Sequence, residues 1–135
     1  METIFELLIP RRPKSLQAKN AKLQQWKSYV RDLARTEWSG PPHVAPAFRV
    51  TLVYLCDVDA ADIDNIIKPI QDALVGVVLP DDNLVSDVDS HGRLLDQAFD
   101  LTDLPALLIQ GAQAQRECVY VRVLAGPVLP LTHFL

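Results

Sequence analysis

Hydrophobic residues along this chain fall in short runs whose spacing changes from one segment to the next. Ile4, Leu7 and Ile9 stand among polar neighbours across Thr3–Ile9, which predicts a first strand that Pro10 and Pro13 bring to an end. Residues 10–20 read as an irregular basic loop. From Leu23 the apolar positions take helical spacing: Leu23, Trp26, Val30 and Leu33 line one face of a helix predicted over 21–36, with Asn20 placed to cap it. The proline-rich stretch Ser39–Pro46 is a linker within the domain, and Phe48–Leu55 is a β-branched and aromatic strand. Leu84–Val88 gives a short strand, a helix capped by Thr102 or Asp103 runs to near Ala112, and Cys118–Leu124 is the last strand. Leu104, Leu107 and Leu108 form the apolar stripe of that helix. The pattern is α+β: a small mixed sheet of about four strands with two or three packed helices, and a strand–helix–strand unit around residues 62–82.

Composition adds bounds. A chain of 135 residues, 49% of them apolar, holds one domain with a real core. It has no uninterrupted apolar run of transmembrane length, and Glu2 and Glu6 in the opening stretch argue against a secretion signal. Cys56 and Cys118 lie in apolar strand-like segments and make a poor extracellular framework, so they read as buried free thiols of a cytoplasmic protein.

The net charge of −4 conceals a division. Residues 1–35 carry eight Lys or Arg against three acids, a net of +5; the other hundred carry five against fourteen, a net of −9. Arg11, Arg12, Lys14, Lys19, Lys22, Lys27 and Arg31 thus gather in one loop and one helix, as phosphate contacts would. A solvated helix face beside a solvated loop is the plainer account of the same charges.

The chemistry concentrates in Asp62–Asp82, where five aspartates and one lysine sit among aliphatic residues. Carboxylates this dense repel one another unless something positive lies between them, and a hard divalent cation is the simplest occupant. Asp62 and Asp64 are two apart after a strand and point to one side in extended backbone. Asp64, Lys68 and Asp72 follow at intervals of four, on one helical face, and Asp64 is also placed to cap that helix. Pro69 removes a backbone donor, so the helix is expected to begin late and to leave a carbonyl near Asn65 for a ligand or water. Gly76 and Pro80 turn the chain, and Asp81 and Asp82 open the next strand. If that strand pairs beside the first, Asp82 returns toward Asp62 and Asp64. Asp-x-Asp-Asn alone is common in caps and turns; the combined pattern is more specific.

Asp62-x-Asp64-Asn65-x-x-Lys68-x-x-x-Asp72-Ala73-Leu74, followed by Gly76 and Asp81-Asp82, resembles the RusA family of Holliday junction resolvases (crossover junction endodeoxyribonucleases). The likeness extends loosely to Pro13, Lys14, Ser15, Asn20, Trp26 and Val30, and weakens after Asp82; residues 94–116 are atypical of that family's core. The resemblance implies a homodimeric, Mg²⁺-dependent nuclease (Mn²⁺ as an alternative) that nicks four-way DNA junctions in recombination and repair. It implies metal and catalytic roles for Asp62, Asp64 and Asp82 and an essential role for Lys68. To these we add Asp81 as an auxiliary ligand, with Asp72 and Asn65 as supporting residues behind the site. Two other readings stay open. One is a nuclease of the same fold acting on other branched or single-stranded DNA or on RNA; the other is a non-catalytic binding or interaction protein of a mobile-element or defence operon.

The remaining residues are less informative. His43, His91 and His133 show no metal-ligand spacing, and His91 beside Gly92 reads as a turn residue. Trp26 reads as core and Trp38 as the more exposed of the two tryptophans.

Overall fold

The computed structural model describes residues 1–57 and 62–135. Four strands, β1 (Glu2–Ile9), β2 (Ala47–Cys56), β3 (Val85–Leu94) and β4 (Cys118–Gly126), form one sheet in the order β1-β4-β2-β3. β3 runs parallel to β2 and the other pairings are antiparallel, so the sheet is mixed, as the sequence pattern predicts. Among the described residues three α-helices pack on it: α1 (Asn20–Glu37), α2 (Ile67–Leu74) and α3 (Ala106–Ala114). The fold is α+β.

Strand alternation divides the core into two layers. Phe48, Val50, Leu52, Tyr54 and Cys56 of β2 point to the face covered by α1 and α2, where they meet Trp26, Val30, Ile66, Ile70 and Leu74. Leu55, Cys118 and Tyr120 point to the other face, under Leu108 and Ala112 of α3. Burying each of the larger aliphatic side chains is worth roughly 1.5–3 kcal/mol, so the first layer supplies most of the packing. Cys56 and Cys118 are buried free thiols on opposite faces. Burial pushes the Cys118 thiol up to about 11.

Several local expectations are corrected. α1 begins at Asn20 itself: the Leu23 amide donates to the Lys19 carbonyl, and the Asn20 side chain accepts from Gln24 rather than capping. Residues 62–66 form a turn, not extended backbone, with the Asn65 amide bonded to the Asp62 carbonyl. The residue that precedes α2 is Ile66, with no side-chain cap from Asp64. α3 starts after Pro105 rather than at Thr102 or Asp103, because the residue before a proline is driven out of helical backbone. Asp103 instead takes a left-handed conformation.

β3 is longer than the predicted Leu84–Val88. It continues through His91 and Gly92, which are strand residues and not a turn. Its polar sequence VSDVDSHGRL is tolerated because β3 is an edge strand. Trp38 is half-buried: its indole N–H donates to the Pro41 carbonyl at 3.1 Å, and its ring meets Phe5 and His43 edge-on. Among the described residues no helix is long and apolar enough to cross a membrane.

Candidate active site

The site is built around α2, which crosses from the end of β2 back to the start of β3. Pro69 falls in its first turn, where a missing N–H leaves no helical bond unmade. The helix begins at Ile67, so the Asn65 carbonyl lies ahead of it, and Pro69 has no N–H to offer that carbonyl. The amide of Leu16, from the basic loop, takes that carbonyl at 3.1 Å. The acidic turn and the basic loop are thereby joined through backbone.

Lys68, one residue into α2, reaches two carboxylates. Its Nζ lies 2.9 Å from Asp72 Oδ1 and 2.9 Å from Asp82 Oδ2. Asp72 is shared, since its Oδ2 lies 3.2 Å from Lys27 Nζ on α1. The result is an alternating chain of Lys27, Asp72, Lys68 and Asp82 drawn from two helices and the turn before β3. Hydrogen bonding to Asp82 first, and to Asp72 next, raises the Lys68 pKa, so the ammonium stays charged at neutral pH. The Lys68 bond is likewise the largest cause holding Asp82 below the usual carboxylate range. Asp81 and Asp82 do not begin the strand but shape a 3₁₀ turn ahead of it, with Asp81 Oδ1 accepting the Asn83 amide at 2.9 Å.

Asp62 and Asp64 are exposed on the turn that leads into α2. Ile63 between them packs over Gly92 of β3 so closely that a Cβ at position 92 would meet its methyl at 3.0 Å. That contact ties the turn to the far end of β3, while Asp82 stands before its near end. Among the described residues no three His, Cys, Asp or Glu side chains are gathered as a ready-made ion cage. The donor chemistry nonetheless suits magnesium. That ion takes one or two protein carboxylates and completes its shell with water and phosphate oxygens, and Asp62 and Asp64 present exposed hard-oxygen donors on one turn.

The basic residues divide in two. Arg11, Arg12, Lys14 and Lys22 line an open cleft of about 430 Å³ with Gln25, Trp26 and Tyr29, and the Arg11 guanidinium lies 3.9 Å from the centre of the Tyr29 ring. Lys19, on the residue before α1, is exposed. Lys27 and Arg31 instead turn toward α2. Arg31 donates to the Asp72 carbonyl at 3.1 Å and the Ala73 carbonyl at 3.3 Å, closing the C-terminal end of that helix.

One residue that the sequence did not single out also belongs here. Glu117, just before β4, accepts from Arg12 at 3.2 Å, from the Tyr54 hydroxyl at 3.1 Å and from the Asp57 amide at 2.9 Å. A lone glutamate beyond a helix gives no signal of such a role.

Comparison with known families adds the deciding observation. Residues 10–97 match the family described as endodeoxyribonuclease RusA, a span that contains the basic loop, α1, α2 and the whole acidic window. The chain belongs to the RusA family. A search of curated proteins found no match. RusA membership makes the Lys68 cluster part of a nuclease fold, and the match ends at residue 97, ahead of α3, β4 and Glu117.

Proposed function

We propose that this RusA-family protein is a magnesium-dependent, structure-selective endonuclease that resolves four-way DNA junctions by phosphodiester hydrolysis. The observation that carries the reading is Lys68, held between Asp72 and Asp82 one turn beyond the exposed pair Asp62 and Asp64. A cation fixed in this way costs no reorganisation when negative charge develops on a scissile phosphate. Asp72, itself neutralised by Lys27, sets the direction of the Lys68 side chain, and Asp82 holds its other side.

Asp62 and Asp64 would hold the metal; Asp82, paired with Lys68, and the auxiliary Asp81, bonded to the Asn83 amide, form no ready-made cage with them among the described residues. When bound there, magnesium supplies an acidified water and polarises the phosphate. Asn65 shapes the turn through its backbone. Its amide donates to the Asp62 carbonyl and its carbonyl accepts from the Leu16 amide, so one residue's backbone links the carboxylate turn to the basic loop.

The cleft of Arg11, Arg12, Lys14 and Lys22, with Lys19 beside it, is suited to phosphate contacts that position a strand without reading its sequence. Such contacts offset the repulsion between DNA and the acidic turn. A homodimer would present two such sites to the paired strands of a junction. Recombination or repair in the cytoplasm is the setting such an activity serves.

The test is a panel of synthetic four-way junction, duplex, single strand and RNA, each incubated with and without magnesium. Cutting confined to the junction with magnesium supports the reading. Preference for single strand or RNA would replace the substrate, and failure to cut any of them would remove the activity.

A further inference from the structure

Glu117 lies outside the segment that matches the family, yet its carboxylate joins three parts of the site. The antiparallel register pairs Leu55 with Cys118, which sets residue 117 beside the end of β2. There a single oxygen, Oε1, accepts three donors: the Asp57 amide, the Tyr54 hydroxyl and the Arg12 guanidinium. Asp57 is where the chain leaves the sheet on its way to Asp62 and Asp64. Arg12 belongs to the basic loop and lines the cation cleft. Tyr54 is fully buried, and its hydroxyl is held protonated by burial first and by the Glu117 charge next.

The carboxylate is only 13% exposed, against 44% for Arg12, so it is the more buried partner of the pair. Its charge also opposes an approaching phosphate, and pairing with Arg12 offsets that repulsion.

Resting on the nuclease reading above, we infer that Glu117 is a positioning residue: it pins the β2 end that leads to the carboxylate turn, and it holds Arg12 back from an incoming phosphate. The C-terminal part of the chain thus completes the site instead of merely flanking it.

Two variants separate the two roles. Glu117→Gln keeps an oxygen for Tyr54 and Asp57 but removes the carboxylate charge with which Arg12 pairs. Junction binding, measured in calcium to prevent cutting, is expected to become tighter at low salt, with a salt slope steeper by about 0.9 for one added phosphate contact. Single-turnover cutting at saturation should fall less than tenfold. Glu117→Ala should show the same steeper slope, cutting at least tenfold slower, and exchange of the Asp57 amide at least tenfold faster than in wild type.

A Glu117→Ala protein with wild-type slope, rate and amide exchange overturns the inference. So does slower cutting that only tracks lost thermal stability, with the salt slope unchanged. If wild type cuts no branched DNA, the nuclease reading fails by itself. Asp57 exchange and the salt slope then still decide whether Glu117 anchors the strand end and restrains Arg12, and unchanged values of both would reject it.

Discussion

The carbonyl of Asn65 accepts the amide of Leu16 at 3.1 Å, across 49 positions of sequence, and Pro69 has no N–H with which to compete for it. Pro69→Ala restores that donor and sets the two in competition. Leu16 amide exchange should quicken and cutting should slow several-fold. Global stability should shift by less than about 1 kcal/mol, since the substitution exchanges one backbone bond for another and frees a little chain entropy. Hydrogen exchange and urea unfolding check the two halves of this expectation.

Lys68 is the residue whose loss should matter most to the chemistry. Lys68→Ala removes the cation between Asp72 and Asp82, and single-turnover cutting should fall by about 10²–10³, the scale of losing one preorganised donor to transition-state charge. Junction affinity in calcium should change by less than about fivefold, because one exposed ion pair is worth about 1 kcal/mol or less. A variant that loses affinity and rate in equal measure would make Lys68 a simple DNA contact.

Asp64→Asn should abolish magnesium-dependent cutting while junction binding survives, and titration calorimetry should show weakened magnesium uptake. An active Asp64→Asn enzyme would take that carboxylate out of the mechanism.

The Lys68–Asp82 pair sets a pH window. Asp82 is lowered from 3.8 in the folded state, so its contribution is complete above that value and disappears as pH falls through the depressed pKa. Lys68 is raised from 10.5, so its contribution is complete below that value and is lost as pH climbs through the elevated one. The stability difference between wild type and Asp82→Asn should therefore stay constant from pH 5 to 9 and close only in strong acid or base. A break near neutrality, seen by denaturation at several pH values, would show that the pair is not formed in solution.

The basic residues should separate by role. Arg31→Ala leaves the Asp72 and Ala73 carbonyls without their charged donor and should cost about 1–3 kcal/mol in urea unfolding. Lys22→Ala should leave stability within about 0.5 kcal/mol and lower the salt slope of DNA binding by roughly 1. If Arg31→Ala were instead stable with a reduced slope, that arginine would belong to the cleft.

Alternating and helical periodicity made the elements legible, because a strand or helix that buries one face must repeat its apolar residues at 2 or 3.6. β2, β4 and the Trp26–Val30 stripe of α1 follow that rule, and the Asp/Lys spacing of 62–82 marked the candidate chemistry. β3 was only partly visible, since an edge strand buries too little to need an apolar sequence.

What the tertiary structure alone decided is pairing. Lys27 and Arg31 look like neighbours of Lys22 along the helix, but the packing of α1 on α2 turns them toward Asp72 and the helix end. Glu117 acquires three partners only because the register of β4 against β2 sets it beside Asp57. Charges show in sequence what a segment can attract, while the partner each one takes depends on which backbones the folded core has brought within about 3 Å.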